Sequence, residues 1–376
     1  NRVVMAPLTR SRAGEFGIPN QLMAKYYTQR SGAGLIITEA TNISDIARGW
    51  NGAPGIYTQE MIDAWKSLTN TVKKGDTIFF MQLWHTGRAS HSSFHKNGEK
   101  PVAASAVVLN GEYIHTPIGK QPYETPEELS VENIKKTVED YRKAAANAKA
   151  AGFDGVEIHA ANGYLIDTFL QSKTNKRTDN YGGSFENRFR FLKEIIEAIS
   201  LELDSTRIGV RLSPNGVFND MGSPDYMEAF SYYLRELNKF KLGYVHVMDG
   251  LGFGFHKLGE PFTLDIVRKN YMGTVISNCG HSIEDGESII SSGKADLLAF
   301  GRPFISNPDL VERIRKKYPL TEYNNSEHWY SGGEVGYTDY PTLNELSDCS
   351  ESNEVSSKQI SSFFTIPQLQ IQQMRF

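Results

Sequence analysis

The sequence predicts an α/β chain that closes as a (β/α)8 TIM barrel with a capping insertion after its third strand. Three observations predict it. Eight strand-length apolar runs alternate with amphipathic stretches along the chain, a rhythm that argues for parallel strands joined by right-handed helical crossovers. The glycine fingerprint of the main alternative, a doubly wound sheet, is missing: Gly250, Gly252 and Gly254 have the wrong spacing and follow the sixth strand candidate, where they are expected to form a mobile loop. Polar and charged residues also gather just beyond the apolar runs, at the strand ends where barrels build their sites.

The strands are expected at Arg2 to Met5, Leu35 to Thr38, Thr77 to Gln82, Gly155 to His159, Ile208 to Leu212, Tyr244 to Met248, Thr274 to Ser277 and Leu297 to Phe300. Helical patterns fall at Asn20 to Arg30, Gln59 to Val72, Val131 to Ala151, Phe185 to Leu203, Asp225 to Phe240, Phe262 to Lys269, Ile283 to Ser291 and Pro308 to Lys317. Ser130 and Ser184 stand where N-caps belong, Asn307 precedes a proline in a first helical turn, and Gly152 suits the position after a helix end.

His85 to Leu129 interrupts the rhythm and is expected to cap part of the barrel mouth, with a hairpin near Val107 to Ile114 turned at Asn110-Gly111. The barrel domain spans residues 1–343. Residues 344–376, rich in Ser and Gln and without a sustained period, read as a disordered or atypical tail.

With 39% hydrophobic and 22% charged residues, a net charge of −4 and no apolar run near the roughly 20 residues of a membrane span, composition points to a soluble protein that binds neither membrane nor nucleic acid. Two cysteines, Cys279 and Cys349, are too few for a disulfide framework and suit a reducing, cytoplasmic setting. The chain starts at Asn1 within an apparent strand, so a preceding segment, targeting peptide included, is expected in a longer product. Glycosylation patterns at Asn42 and Asn324 are of a kind that arises by chance.

The fourth strand end carries the densest chemistry, His159, Asn162 and Tyr164 around a sharp turn at Gly163. The imidazole and amide can hold one substrate oxygen, and a phenol of ordinary pKa, about 10, stays protonated and can donate. Taken alone, such a histidine is more often structural. Thr9, Gln82 and Arg211 at other strand ends could hydrogen-bond a planar heterocycle, and a flavin suits them, with Arg211 offsetting negative charge on the ring. Gly280, Gly301 and Arg302 after the last two strands suit a phosphate, so flavin mononucleotide (FMN) explains both groups together. His85, His91 and His95 lack ligand-spaced partners, and no metal site is expected. No G-x-S-x-G elbow is present. Cys279 reads as inert packing and Glu157 as a paired core carboxylate.

Longer motifs go further. Asn1-Arg-Val-Val-Met-Ala-Pro-Leu-Thr-Arg10, Gln82-Leu-Trp-His-Thr-Gly-Arg88, His159-Ala-Ala-Asn-Gly-Tyr164, Arg177-Thr-Asp-Asn-Tyr-Gly-Gly-Ser-Phe-Glu-Asn-Arg188, Phe300-Gly-Arg302 and Gly336-Tyr-Thr-Asp-Tyr-Pro341 closely resemble the Old Yellow Enzyme family of flavin-dependent ene-reductases. The resemblance implies a barrel that binds FMN noncovalently, takes electrons from NADPH or NADH, and reduces the C=C bond of α,β-unsaturated carbonyl compounds, as a monomer or homodimer. Nitro compounds and nitrate esters are the alternative acceptors, and a flavin-binding sensor without turnover is a more distant one. By position, the resemblance assigns Pro7, Thr9, Ala40, Gln82, Arg211, Gly301 and Arg302 to FMN, His159 and Asn162 to the acceptor oxygen, Tyr164 to proton donation, and Phe218 and Tyr337 to the pocket. The chain departs from the pattern at Trp50, where tyrosine is commoner in the pocket, and at Asn278, Cys279 and His281 in the phosphate loop.

Overall fold

The computed structural model describes residues 1–73, 77–322 and 326–345. Eight parallel strands form the barrel: β1 (Val3–Met5), β2 (Leu35–Ile37), β3 (Ile78–Trp84), β4 (Gly155–His159), β5 (Ile208–Leu212), β6 (Tyr244–Met248), β7 (Val275–Asn278) and β8 (Leu297–Phe300). Each pairs with the next in the chain, and β8 returns to β1 through Val4 opposite Ala299, so the eight strands close on themselves. The runs are mostly apolar because outward side chains meet helices and inward ones fill the lower barrel, with Gln82, Glu157, His159, Arg211 and His246 among the buried polar exceptions.

The helices are α1 (Gln21–Gln29), α2 (Gln59–Val72), α3 (Val131–Ala150), α4 (Leu165–Leu170), α5 (Phe185–Ile199), α6 (Tyr226–Leu237), α7 (Leu264–Asn270), α8 (Ile283–Ser291), α9 (Arg302–Ser306) and α10 (Leu310–Lys316). Ser130 and Ser184 cap α3 and α5 by accepting from Asn133 N and Asn187 N. Gly152 follows α3 at φ +89°, a left-handed turn that glycine enters without Cβ strain. Asn307 does not start a helix: it closes α9, its side chain bonding Pro303 O and Thr321, and α10 begins at Leu310. Among the described residues, no helix is long and apolar enough to cross a membrane.

The lower barrel interior is apolar, with Val4, Leu35, Ile37, Phe80, Tyr244, Ile276 and Ala299 in one cluster. Gly155 and Gly209 make room there: a Cβ on them would come within 2.4 Å of the Phe80 ring and 2.3 Å of the Tyr244 ring.

In the insertion, Val102–Ala103 pairs with Glu127–Glu128, and Leu109 and Tyr123 pack with Trp50, Trp84 and Tyr164 at the mouth. The hairpin lies later than expected, with Ile114–Thr116 antiparallel to Gly119–Gln121 around Pro117-Ile118. Asn110-Gly111 cannot serve as a primed turn because neither residue has the positive φ that one requires. Gly111 instead permits close approach of Tyr123, whose ring would lie 2.9 Å from a Cβ there. In the loop after β6, Gly250 approaches the next strand end closely, a Cβ on it falling 1.7 Å from Cys279 O, while Leu251 and Phe253 beyond it are exposed. Asn42 is buried and its amide bonds Pro54 O, closing it to glycosylation, while Asn324 lies outside the described residues.

The chain divides into Asn1–Tyr340, which holds the barrel, and Pro341–Phe376. In the second unit Thr342 N–H and hydroxyl both donate to Glu345. The expected tail lies outside the described residues from 346 onward.

Candidate active site

Strand alternation sends Gln82, Glu157 and His246 into the barrel above the apolar layer. Glu157 accepts from Gln82 Nε2 at 2.8 Å and from His246 Nδ1 at 2.8 Å, and all three residues are buried. Burial pushes the Glu157 carboxyl up, but His246, Arg211 and Gln82 outweigh it and leave it below the usual range. Burial, in turn, pulls the His246 imidazole down. The pair is therefore a carboxylate receiving a neutral imidazole N–H, a structural tie across β3, β4 and β6.

One level higher, Arg211 pairs in register with His159 and donates from Nη2 to Asn278 Oδ1 at 2.8 Å. Asn278 Nδ2 donates to Ala299 O at 2.8 Å, so the guanidinium is fixed through β7 to β8. Arg211 Nε and His159 Nδ1 are buried without a protein partner. Burial drives the His159 imidazole well below its ordinary pKa, with the Arg211 charge adding to the effect, so it is neutral at pH 7.

Asn162 has φ +60°, a left-handed conformation asparagine tolerates better than most residues. Its N–H donates to Ser213 Oγ at 2.8 Å and its carbonyl accepts from Asn219 Nδ2 at 2.8 Å. Clamped from both sides, the backbone presents the Asn162 side chain to a cavity. Gly163 N–H donates to Asp167 at 2.8 Å, which sets the turn into α4. The Tyr164 ring packs edge-on to His159 and Trp84, each at 4.9 Å between centroids. Burial, reinforced by Tyr330, raises the Tyr164 phenol above its ordinary range and keeps it protonated.

The cavity, of about 270 Å³, spreads over the barrel mouth. Pro7, Thr9, Trp50, Asn162, Tyr164, Arg211, Phe218, Gly280, Gly301 and Arg302 line it. Ala40 and Gln82 stand back from its wall, Ala40 packed with Trp84 and Tyr164, Gln82 bound to Glu157. His159 is not among the wall residues either and is buried beside Tyr164.

Tyr337 does not line the pocket. It is fully buried, stacked on Tyr26 at 4.1 Å with the guanidiniums of Arg10 and Arg12 over its ring at 5.1 Å and 4.7 Å. From the same segment, Tyr330 reaches the wall instead, 5.3 Å from Trp50. Arg10 and Arg12 anchor this segment through the carbonyls of His328, Trp329 and Gly336. Trp50 is itself held by a bond from Nε1 to Ser11 Oγ at 3.1 Å.

His281, a departure in the phosphate loop, lines the cavity, as do Met248 and Phe253, which were not among the expected contacts. The signal for Met248 and Phe253 was faint: Met248 is the last inward residue of β6, and Phe253 follows that strand's end. Cys279, on the wall, has φ +94°, a conformation that favours glycine. The insertion histidines are engaged locally, His85 Nδ1 accepting from Gly87 N, His91 bonding Ser93, and His95 meeting Glu99 O and Arg48 O.

Residues 1–321 match the NADH:flavin oxidoreductase / NADH oxidase family. The chain belongs to this family, the Old Yellow Enzymes. Among relatives of this flavin oxidoreductase, a putative 12-oxophytodienoate reductase 11 of Oryza sativa subsp. japonica is 42% identical, over 91% of this chain and 94% of the relative. The 12-oxophytodienoate reductase 2 of Arabidopsis thaliana is 40% identical, over 91% and 92%. The structure of an old yellow enzyme homologue from Zymomonas mobilis superposes with a TM-score of 0.86 at 41% identity, covering 91% of this chain and 96% of that one. Morphinone reductase gives 0.86 at 40% identity, covering 92% and 93%.

The family implies FMN, and the cavity of this oxidoreductase fits it. The buried, unpartnered Arg211 Nε sits on a residue of the cavity wall and calls for an acceptor such as a flavin edge. At the other end, Gly280 and Gly301 leave the wall bare of side chain beside the Arg302 cation.

Proposed function

We propose that this enzyme reduces the C=C bond of α,β-unsaturated carbonyl compounds with electrons from NADPH or NADH. The observation that carries the reading is the convergence of Asn162, Tyr164 and Arg211 on one cavity, with neutral His159 packed against Tyr164. The relatives named for 12-oxophytodienoate and the morphinone reductase support an enone acceptor, and a morphinone reductase structure with tetrahydroNAD supports a nicotinamide donor.

FMN, when bound, would supply the hydride-transfer chemistry between nicotinamide and acceptor. Pro7, Thr9 and Arg211 would hold its ring, and Gly280, Gly301 and Arg302 its phosphate. The protein's own groups do the rest. Asn162 Nδ2 and a neutral His159 N–H bind the carbonyl oxygen and stabilise the negative charge that builds there in the transition state. Arg211 would favour negative charge on a ring held against it. Tyr164, kept protonated by its burial, delivers the proton to the α carbon. Trp50, Phe218 and Tyr330 enclose the acceptor with apolar surface.

An anaerobic NADPH titration of the purified holoprotein, followed by an enone panel and a nitrate ester, tests this reading. The flavin band should bleach with NADPH and return with enones faster than with the nitrate ester. A faster return with the nitrate ester would favour nitro chemistry, and folded protein that neither retains nor rebinds FMN would end the assignment.

A further inference from the structure

We propose that His281 is a phosphate ligand of this chain, a cation at the phosphomonoester end of the cavity whose grip on FMN weakens as the pH rises. The inference rests on the FMN reading above. His281 departs from the motif of the phosphate loop.

His281 lines the cavity together with Gly280, Gly301 and Arg302. Its Nε2 lies 3.1 Å from Asp249 Oδ2 and 3.1 Å from Ser277 Oγ. Ser277 Oγ donates to Asp249 Oδ1 at 2.8 Å, and Asn278 N–H donates to the same oxygen at 3.1 Å. With the Ser277 proton spent on Asp249, both neighbours of Nε2 are acceptors, so Nε2 carries a proton in either charge state. Nδ1 is then the atom that titrates. Protonated, it is a further N–H donor; neutral, it is an acceptor and meets a phosphate oxygen unfavourably.

The seat is tight. Gly250 has no room for a Cβ, which would lie 1.7 Å from Cys279 O and 3.2 Å from His281 Nε2, so the loop after β6 is pressed onto the ring. The groups facing His281 come from three directions. From the loop after β6 comes Asp249, whose side chain is 6% exposed. From the first turn of α8 comes Asp285, already bonded to Ser282. On the cavity wall are Arg302, Arg211 and the Cys279 thiol, which burial pushes up and keeps neutral. The Asp249 bond is the largest influence on His281 and raises its pKa above the ordinary histidine range, against burial.

Asp249 also states why a cation is needed. A phosphate of charge near −2 placed at this end would be repelled by the carboxylate that seats the loop. The imidazolium between them offsets that repulsion and adds a charge-assisted bond.

Apoprotein titrated with FMN and with riboflavin from pH 7 to 9 tests this, because the second phosphate pKa, about 6, lies below that range and riboflavin has no phosphate. The Kd for FMN should rise roughly tenfold across the range, the size of one charge-assisted bond, while that for riboflavin stays level. In His281→Gln the FMN curve should flatten at the weak value, and in His281→Lys at the tight one. If either variant fails to fold, the His281 imidazole resonance of the parent should titrate at higher pH with FMN bound than with riboflavin bound. Equal pH response in parent and His281→Gln, or an unchanged imidazole titration, overturns the inference and leaves the FMN reading intact. Failure to bind FMN at any pH overturns both.

Discussion

Asn162 N–H donates to Ser213 Oγ across 2.8 Å, tying the turn after the fourth strand to the residue just beyond the fifth. The bond holds a non-glycine residue at φ +60° and so fixes where the Asn162 amide lies on the cavity wall. Ser213→Ala removes the acceptor and leaves a partly buried N–H unpaired, a cost of about 1–2 kcal/mol. Its kcat/KM for an enone should fall roughly tenfold, with flavin reduction by NADPH little changed. Stopped-flow measurement of the two half-reactions separates these effects.

Glu39 predicts a pH effect on stability. It is fully buried, accepts from Arg10 N–H at 3.1 Å and Tyr27 hydroxyl at 3.2 Å, and burial lifts its pKa to about 7. A carboxyl that holds its proton more tightly folded than unfolded lends stability at low pH and loses it as the pH climbs through the folded value. His85 and His159, depressed by burial, act in the opposite direction. The quantity to read is therefore the parent minus Glu39→Gln in urea unfolding. That difference should move against the parent by on the order of 2–3 kcal/mol between pH 5 and pH 8.

Cys279 predicts a stabilising change. At φ +94° its Cβ is strained, and the side chain forms no disulfide. Cys279→Gly should relieve about 1 kcal/mol, partly offset by the greater freedom of glycine in the unfolded chain. A higher urea midpoint at unchanged m-value would show it. A lower midpoint would mean that thiol packing outweighs the strain.

The barrel was legible because buried parallel strands are continuous apolar runs, and a break in such a run stands out. The site was legible where function sits at a strand end: alternation along β5 turns Arg211 inward, and the turn at Gly163 keeps Asn162 and Tyr164 within a few residues of the end of β4. What stayed hidden depends on contacts distant in sequence. Nothing local to Tyr337 says that it stacks on Tyr26, or that Tyr330 takes the wall instead. The hairpin was misplaced because Asn110-Gly111 carries the composition of a tight turn while Gly111 serves a steric need against Tyr123. The Asp249–His281 pair joins residues 32 apart that meet only once β6 and β7 lie side by side.

Proton donation by Tyr164, beside Asn162 and His159, is read out by Tyr164→Phe. With holoenzyme under anaerobic conditions, NADPH should bleach the flavin at nearly the parent rate, while reoxidation by an enone should slow by about 100-fold or more, the usual worth of a positioned acid. Reoxidation at the parent rate, with the phenyl ring in place and FMN bound, would contradict it.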